Sequence, residues 1–407
     1  MKINEILQNV KKDSAALAVS SNEKRNDALL AISSALYENR EEIFKANKAD
    51  MDKALEEGIA APIVSRLKFN QEKLAVCMEG IKDLIGLSDP LRKVMLKREL
   101  DKDLVLTKLT CPIGVIGVIF ESRPDALVQI STLCVKSGNC AVLKGGSEAK
   151  NTNRALYEVI YKAGVNAGLP EGFLTLIEDR AGIAELLKCH NEVDLIIPRG
   201  SNGFVQYIME NSKIPVMGHA DGICHIYVDK DADIDLAVKV IIDSKTQYPA
   251  ACNALETLLV HEDIYQKVIE KLPKSIELRQ GDFNEEYLDY IMTARKIACL
   301  EDAVIYINQH GSHHTDCIIT EDDAKAEYFM NYVDSAGVYH NCSTRFADGY
   351  RYGFGAEVGI STGKLHARGP VGLDGLVTYK YTLKGKGQIV SDYASGKSKF
   401  NFKDLDF

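Results

Sequence analysis

The feature that most constrains the fold is an alternation of short apolar stretches with stretches of helical periodicity, which begins near Pro112. The first apolar stretch is continuous over residues 113–120 and is typical of a strand that is buried on both faces. The alternation continues to Gly218, and a second series starts at Gly222. Strands that alternate with helices predict α/β domains built on parallel sheets.

The two series predict individual elements. The first predicts strands at 113–120, 141–144, 173–178, 194–198 and 214–218, separated by helices at 125–136, 155–163, 182–189 and 204–210. The second predicts strands near 222–229, 257–260, 303–307 and 316–320.

Other elements are predicted outside the two series. Ser20 stands three residues before Glu23 and offers a capping box, and a further helix is predicted from about residue 70 to 85. Alternating apolar residues at 103–109 and 376–383 predict two strands. Because these strands fall outside the sheets, we expect a projecting β arm that pairs subunits in a homo-oligomer.

Composition and charge exclude several classes of protein. The 407 residues carry a formal net charge of −9 without a basic stripe, so neither nucleic acid nor an anionic membrane is an expected partner. The apolar runs are too short to span a membrane, and the N-terminal residues do not resemble a signal peptide. Ten Cys without a C-x-x-C pair indicate a reducing, cytoplasmic environment and neither a zinc ribbon nor a thioredoxin motif.

Cys252 is the candidate nucleophile. It lies between a predicted helix, which Asp231 and Asp233 can cap, and the predicted strand at 257–260. Pro249 ends the helix before it reaches Cys252, so the thiol lies on a turn where it can be both rigid and accessible. A free Cys is more often a small buried hydrophobic residue, and the residue pattern alone leaves that alternative open.

Residues that suit phosphate binding lie at the carboxyl ends of predicted strands. Lys144 and Gly200 both end strands of the first series, where ligands of parallel sheets bind. The glycine-rich turns that follow lead into helix N-termini, whose backbone N–H groups and dipole favour an anion.

Two further patterns are weaker. The glycines of residues 353–359 have the wrong spacing for a dinucleotide loop and favour a tight turn. His310, His313, His314 and Asp316 could form a metal cluster, but their loop-like spacing favours a polar turn near an anionic substrate.

Several motifs resemble the aldehyde dehydrogenase superfamily. They are CPIGVIGVIFESRP at 111–124, VLK at 142–144, PRGS at 198–201 and the block around Cys252, which falls where that superfamily keeps its nucleophile. More narrowly, FESRP, LKGGSE, IIPRGS, GHADGICH and NCSTRFADG are similar to the γ-glutamyl phosphate reductase family, also called glutamate-5-semialdehyde dehydrogenases. The resemblance extends from about residue 5 to residue 395.

The resemblance implies an aldehyde dehydrogenase-like α/β fold with two Rossmann-like parallel-sheet domains and a β-hairpin oligomerisation arm. The expected domains are an NADP(H)-binding domain at 1–225 with an N-terminal helical cover, a catalytic domain at 226–363, and a C-terminal arm at 364–407, to which 100–111 contribute.

The resemblance also implies the reaction. It is the NADPH-dependent reduction of L-glutamate 5-phosphate to L-glutamate 5-semialdehyde and phosphate through a Cys252 thioester, the second step of proline biosynthesis from glutamate. The acyl phosphate is expected from a separate glutamate kinase.

Site residues follow from the same resemblance, with no metal expected. Catalytic roles are implied for Cys252 and for Ser122, which stands nearest to the oxyanion donor of relatives. The implied NADP(H)-binding residues are Lys144, Gly146, Ser147, Pro198, Gly200 and Ser201. The implied substrate-binding residues are Arg123, His219, Asn253, Arg345, Gly355 and Glu357, with Arg345 at the substrate carboxylate and Glu357 at its ammonium.

One departure from the superfamily pattern bears on the chemistry. Hydrolytic aldehyde dehydrogenases carry a general-base Glu in the turn that corresponds to residues 219–222, and this chain has none there. An enzyme that exchanges its thioester with phosphate has no use for that base. One alternative is a hydrolytic dehydrogenase, and the missing Glu argues against it. The other is an inactive scaffold, and the presence of Cys252, Lys144 and Gly200 argues against that.

Overall fold

The structure, a computed structural model, describes residues 3–59, 61–178, 182–219, 221–281 and 285–407. The chain forms two compact units. Unit 1 comprises Met1–Gly200, Ile208–Val216 and Gly372–Phe407, and unit 2 comprises Ser201–Tyr207 and Met217–Val371. The expected domain boundaries after residues 225 and 363 do not coincide with these divisions, and as domain boundaries they stay a prediction.

Most elements of unit 1 come from the N-terminal half of the chain. The helices are α1 (Ile3–Ala18), α2 (Asn22–Glu38), α3 (Arg40–Glu56), α4 (Ala61–Leu67), α5 (Gln71–Gly86), α6 (Pro124–Lys136), α7 (Lys150–Asn166), α8 (Gly182–Leu186), α9 (Asn202–Asn211), which is divided between the units, and α14 (Val390–Ala394). The strands are β1 (Val94–Asp101), β2 (Leu104–Pro112), β3 (Val115–Phe120), β4 (Cys140–Gly145), β5 (Leu174–Leu176), β6 (Leu195–Arg199), β15 (Val377–Lys384) and β16 (Lys403–Asp404).

A parallel sheet in the order β5-β4-β3-β6 forms the centre of unit 1. All six residues of β3 are buried, and so are most residues of α6, which explains why this stretch of sequence is almost continuously apolar. The register aligns Phe120 with both Gly145 and Arg199. The turns after β3, β4 and β6 therefore lie at one edge of the sheet.

A second sheet of unit 1 is antiparallel, in the order β15-β2-β1-β16. β15 pairs with β2 through all eight of its residues. The strands predicted at 103–109 and 376–383 are thereby confirmed. β15 lies at an edge of this sheet and exposes Tyr381 and Leu383, but its use in pairing subunits stays a prediction.

Unit 2 contains the remaining elements. They are β7 (Cys224–Val228), α10 (Ile234–Thr246), β8 (Leu255–His261), α11 (Tyr265–Ile269), β9 (Glu277–Arg279), β10 (Ile291–Ile297), α12 (Leu300–His310), β11 (Thr315–Ile319), α13 (Asp323–Tyr332), β12 (Gly337–His340), β13 (Gly359–Ser361) and β14 (Gly369–Val371). Six strands form a parallel sheet in the order β12-β11-β7-β8-β10-β9. Its core includes Ile226 and Leu258 from the sheet and Ile241 from α10.

The strand predicted at 303–307 is wrong, because these residues lie inside α12. Its buried residues Leu300, Ala303, Val304 and Ile307 recur at helical spacing. Five apolar residues in a row fit a buried strand equally well, since periodicity does not separate the two at this length. β10, which pairs with β8, is absent from the predicted elements.

Two smaller predictions are also wrong. Ser21, not Ser20, caps α2, and its hydroxyl oxygen accepts a hydrogen bond from the backbone N–H of Lys24. Residues 214–218 form no strand and contribute a single parallel bridge at Val216. Within the described part of the chain, no helix has both the length and the apolar composition needed to cross a bilayer.

Candidate active site

Cys252 lies in the loop between α10 and β8, as the sequence predicts. α10 begins after Asp233, whose carboxylate accepts hydrogen bonds from the backbone N–H groups of Asp235 and Leu236 at 2.8 and 3.2 Å. The Cys252 side chain is partly exposed. A capped helix and a buried strand therefore anchor both ends of a loop that presents an accessible thiol.

Several contacts fix the backbone of this loop. Gly222 lies so close that a Cβ there would overlap the backbone of Cys252. The thiol of Cys224 donates to the Cys252 carbonyl oxygen at 3.3 Å, and the hydroxyl of Thr344 donates to the carbonyl oxygen of Asn253 at 2.7 Å. The position from which the Cys252 thiol projects is thus closely defined.

Two imidazoles lie beside the Cys252 thiol. Its Sγ and one ring nitrogen each of His219 and His314 all lie within 4.8 Å of one another. The two rings meet edge-on, with centroids 4.9 Å apart. Nδ1 of His219 lies 2.9 Å from the carbonyl oxygen of Ile360, and Nδ1 of the fully buried His314 lies 2.9 Å from Thr315 Oγ1. The candidate nucleophile is therefore flanked by two potential bases.

The sheet of unit 2 explains this convergence. His219 and Cys252 precede β7 and β8, and His314 directly precedes β11. These strands are neighbours, in the order β11-β7-β8, and they run in parallel. The segments before them therefore meet at the amino edge of the sheet. His314 is absent from the expected site residues, and the sequence points to it only as a member of the possible metal cluster at 310–316.

The alternative metal cluster at 310–316 is not assembled. His313 Nδ1 lies 2.6 Å from the carbonyl oxygen of Asp334, and Asp316 Oδ1 lies 2.8 Å from both the backbone nitrogen and the ring Nδ1 of His225. Among the residues of that cluster, all of which the structure describes, His314 alone belongs to the group around the Cys252 thiol.

Arg345 is buried close to the same loop. Its Nε donates to Gln247 Oε1 at 2.9 Å, and its guanidinium lies 5.9 Å from the centroid of the Tyr248 ring. Burial lowers the pKa of Arg345, as does the neighbouring charge of Arg351, whereas a Cys252 thiolate opposes that shift. A buried cation thus lies within electrostatic reach of the thiol, and its contact with a substrate carboxylate stays a prediction.

A buried ion pair flanks the Cys252 loop in sequence. Lys245 Nζ lies 2.8 Å from Glu256 Oε2, and both side chains are fully buried. Burial raises the pKa of Glu256 to about 7 and lowers the pKa of Lys245, while the charge of each partner opposes the other's shift. Glu256 Oε1 is buried without a hydrogen-bond partner, so the burial of this pair is only partly compensated.

The other expected substrate residues of unit 2 make structural contacts. The buried Asn253 donates from its amide to a backbone carbonyl at 2.8 Å, while its Oδ1 is buried without a partner. Glu357 accepts a hydrogen bond from the backbone N–H of Gly349 at 2.7 Å. Gly355 has a φ of 68°, as the tight-turn interpretation of 353–359 requires. Substrate roles for Asn253, Gly355 and Glu357 stay predictions.

The expected cofactor residues of unit 1 lie where its sheet ends. Lys144 is buried near the end of β4, and its Nζ donates to the carbonyl oxygen of Gly145 at 2.9 Å. Gly146 and Ser147 follow β4, Pro198 and Gly200 lie at the end of β6, and Ser201, the next residue, belongs to unit 2. The carboxyl ends of these parallel strands thus carry an ammonium group, a serine hydroxyl and glycine turns. These groups can donate hydrogen bonds to the phosphates of an anionic dinucleotide.

Glu148 links two of these turns. The backbone N–H and the hydroxyl of Ser122 donate to Glu148 Oε1 at 2.6 and 2.9 Å. A Cβ at Gly146 would overlap the same carboxylate. The Ser122 hydroxyl proton is therefore engaged by Glu148, and its expected role toward an oxyanion stays a prediction. Arg123, the neighbouring residue, is exposed at the N-terminus of α6.

Comparison with known proteins identifies the family. The sequence model that represents the aldehyde dehydrogenase family matches residues 1–294 of this chain. The chain is 52% identical to the gamma-glutamyl phosphate reductase of Ruminiclostridium cellulolyticum, with 100% of this chain and 99% of that protein covered. It is 53% identical to the gamma-glutamyl phosphate reductase of Pelotomaculum thermopropionicum, with 100% and 98% covered.

Solved structures agree with this assignment. The gamma-glutamyl phosphate reductase of Thermotoga maritima has a TM-score of 0.92 at 37% identity, covering 95% of this chain and 99% of that chain. An acetylating aldehyde dehydrogenase of Geobacillus thermoglucosidasius, at 18% identity and a TM-score of 0.67 over 95% of this chain and 96% of that chain, shares the fold. The expected aldehyde dehydrogenase-like α/β fold is confirmed, and the chain belongs to the aldehyde dehydrogenase family and, within it, to the gamma-glutamyl phosphate reductases.

Proposed function

We propose that this oxidoreductase reduces L-glutamate 5-phosphate to L-glutamate 5-semialdehyde and phosphate with NADPH, as the second step of proline biosynthesis, through a thioester on Cys252. The observation that carries the proposal is the 52% identity, over the whole chain, to a relative named gamma-glutamyl phosphate reductase. The partly exposed thiol beside two imidazoles supports the assignment of the nucleophile.

The central requirement of the proposed reaction is a thiol that a neighbouring base can deprotonate. His219 or His314 takes the proton of Cys252, and the thiolate attacks the acyl carbon. A C–S bond forms, and the C–O bond to phosphate breaks with its electron pair on the departing phosphate. Hydride addition to the thioester carbonyl gives an alkoxide that the backbone N–H of Cys252 can stabilise. Collapse of the alkoxide breaks the C–S bond and releases the aldehyde and the thiolate.

Bound NADPH supplies the hydride. In the proposed assignment Lys144 pairs with its 2′-phosphate and Ser147 hydrogen-bonds the same group. The other residues of the dinucleotide site are Gly146, Pro198, Gly200 and Ser201. If Lys144 pairs with the 2′-phosphate, Lys144→Ala weakens NADPH binding and leaves NADH binding nearly unchanged. Fluorescence titration of both nucleotides measures this difference.

The remaining assignments concern the substrate. Arg345 pairs with its α-carboxylate, because a planar guanidinium can bind both oxygens, and Glu357 pairs with its ammonium. Arg123 binds the departing phosphate, and His219, Asn253 and Gly355 line the substrate site. We also propose that the enzyme is a cytoplasmic homo-oligomer and that a separate glutamate kinase supplies the acyl phosphate.

The decisive experiment follows NADP reduction by glutamate 5-semialdehyde with and without inorganic phosphate. The proposal predicts activity that depends on phosphate and disappears in Cys252→Ser. A hydrolytic dehydrogenase reduces NADP without phosphate, and an inactive scaffold does not reduce it under either condition. Either of those results overturns the proposal.

A further inference from the structure

The group formed by Cys252, His219 and His314 has the composition of a metal site. Within the described residues it is the one group of three or more His, Cys or acidic side chains whose ligand atoms lie close enough to share an ion, all within 4.8 Å of one another. In a tetrahedral zinc site with bonds of about 2.0–2.3 Å, ligand atoms are separated by roughly 3.3–3.8 Å. Contraction by about 1 Å would therefore complete the geometry.

The hydrogen bonds around the two imidazoles orient them as ligands. Because a carbonyl oxygen only accepts, the contact of His219 Nδ1 with Ile360 places a proton on Nδ1 and leaves the lone pair of the neutral ring on Nε2. His314 is fully buried, its Nδ1 contacts Thr315 Oγ1, and its Nε2 is buried without any hydrogen-bond partner. Metal-binding histidines are fixed by such contacts at the second ring nitrogen.

The orphaned nitrogen of His314 is the strongest sign of a missing ligand. A buried polar atom without a partner is costly, and it is rare in native proteins. Cys224 Sγ lies 3.8 Å from Nδ1 of His314, not beside the orphaned Nε2, and its thiol donates to the carbonyl oxygen of Cys252, so Cys224 does not supply the missing partner.

We propose that Cys252, His219 and His314 bind one zinc ion reversibly and thereby hold the enzyme in an inactive state. Binding exchanges the Cys252 thiol proton for the metal and releases that proton to solvent. One thiolate and two neutral imidazoles are ligands that zinc prefers, and three protein ligands leave the fourth position to water.

The consequence for activity follows from the shared sulfur. A thiolate that is coordinated to zinc shares one of its lone pairs with the metal and is a weaker nucleophile than the free thiolate, so it attacks an acyl phosphate or an alkylating reagent more slowly. This inference rests on the proposed role of Cys252 for its effect on catalysis, but not for the binding itself.

The test uses the full-length enzyme after chelator treatment and dialysis. Competition with a chromophoric chelator measures the stoichiometry and affinity of zinc, and cobalt(II) replaces zinc as a spectroscopic probe. We expect one equivalent of zinc, thiolate-to-cobalt charge-transfer absorption, and protection of Cys252 from iodoacetamide. Magnesium, a hard cation, gives no protection.

Variants separate the ligands from other histidines. His314→Gln is expected to weaken zinc binding by more than ~100-fold, since loss of an outer contact alone costs about 10–100-fold. His219→Gln, at a partly exposed position, serves as a second variant if His314→Gln does not fold. His310→Gln is the matched control, because His310 lies in the same segment but outside the group.

The outcomes test the zinc site separately from the proposed reductase function. Zinc binding without the sulfur-to-cobalt absorption, or affinity unchanged in both ligand variants, overturns the zinc site even when the enzyme is fully active. Zinc binding with these signatures in a protein that shows no reductase activity supports the site and overturns the proposed function.

Discussion

Gly222 lies against the backbone of Cys252 with no room for a side chain between them. Any Cβ at Gly222 would overlap backbone atoms of Cys252, which cannot move aside as the end of a flexible side chain can. Gly222→Ala is therefore expected to displace the thiol and lower kcat by about two orders of magnitude, since a displacement of about 1 Å can have such an effect. Steady-state kinetics and the iodoacetamide labelling rate of Cys252 measure the change. Gly80→Ala is the control, because nothing lies within 4 Å of the corresponding Cβ, and it should leave both rates unchanged.

Cys252→Ser should abolish turnover and preserve NADPH binding, because a serine hydroxyl is far less ionised than a thiol near neutral pH. Labelling provides an independent measure. Burial raises the pKa of Cys77 and of Cys140 to about 12, so these thiols should react much more slowly with iodoacetamide than Cys252. Peptide mapping of the labelled protein gives the order, and preincubation with substrate should protect Cys252. Faster labelling of any other thiol contradicts this prediction.

Arg345→Ala should raise KM for glutamate 5-semialdehyde by roughly one to three orders of magnitude, the loss of one bidentate charged pair. Propanal lacks the carboxylate, so its kinetic constants should be nearly unchanged, as should the affinity for NADP. Because Arg345 also binds Gln247, Gln247→Leu is a matched variant that removes this contact and retains the charge. Equal loss with propanal and the semialdehyde would mean that Arg345 orders the loop instead of binding the substrate.

Lys245 and Glu256 allow a double-mutant cycle for stability. Lys245→Met leaves Glu256 buried without its partner and should lower the free energy of unfolding by about 3–5 kcal/mol. The pair Lys245→Met with Glu256→Leu should be close to neutral, since two apolar side chains remove both buried charges. Urea unfolding monitored by circular dichroism measures all four proteins.

The same pair predicts a pH dependence with a definite sign. The pKa of Glu256 rises from 4.5 to about 7 on folding, so the folded protein binds more protons than the unfolded chain between these values. The contribution of Glu256 to stability is therefore greatest below pH 4.5 and is lost as the pH rises through about 7. In Glu256→Gln this component of the pH profile should disappear. A profile that is unchanged would show that Glu256 titrates normally in the folded protein.

Leu383→Asp tests whether the exposed edge strand β15 pairs subunits. If it does, a buried carboxylate should disrupt association, and sedimentation velocity should show smaller particles than for the unmodified enzyme. Leu365→Asp is the matched control, because Leu365 is 96% exposed in unit 2. Dissociation by both variants, or by neither, contradicts the assignment of β15.

The surroundings of Cys252 were accessible to sequence reasoning because they obey local rules. Asp233 caps α10 through bonds to residues two and three positions ahead, and Pro249 excludes a longer helix. The alternation that predicts the parallel sheets is likewise local, because each strand is apolar only as a result of the burial of its own residues. The failure at 303–307 arose where a short apolar run satisfied the helical and the extended pattern together.

The group around the thiol could not be predicted in the same way. His219, Cys252 and His314 meet only because β7, β8 and β11 are neighbours, and strand order is not encoded in any one segment. The partnership of Ser122 with Glu148 is similar, since it joins turns that follow two different strands. Pairings of this kind depend on tertiary topology and leave no periodic signal.

The antiparallel sheet of unit 1 has a consequence for synthesis of the protein. Arg98 in β1 pairs with Asp404 in β16, which lies 306 residues later in the chain. A ribosome therefore releases β1 and β2 long before it translates β15 and β16, and all of unit 2 from Met217 to Val371 emerges in between. Non-local strands form late because their partners must first be brought together. Synthesis of β16, and not emergence of the N-terminal half, therefore sets the earliest moment at which unit 1 can complete this sheet.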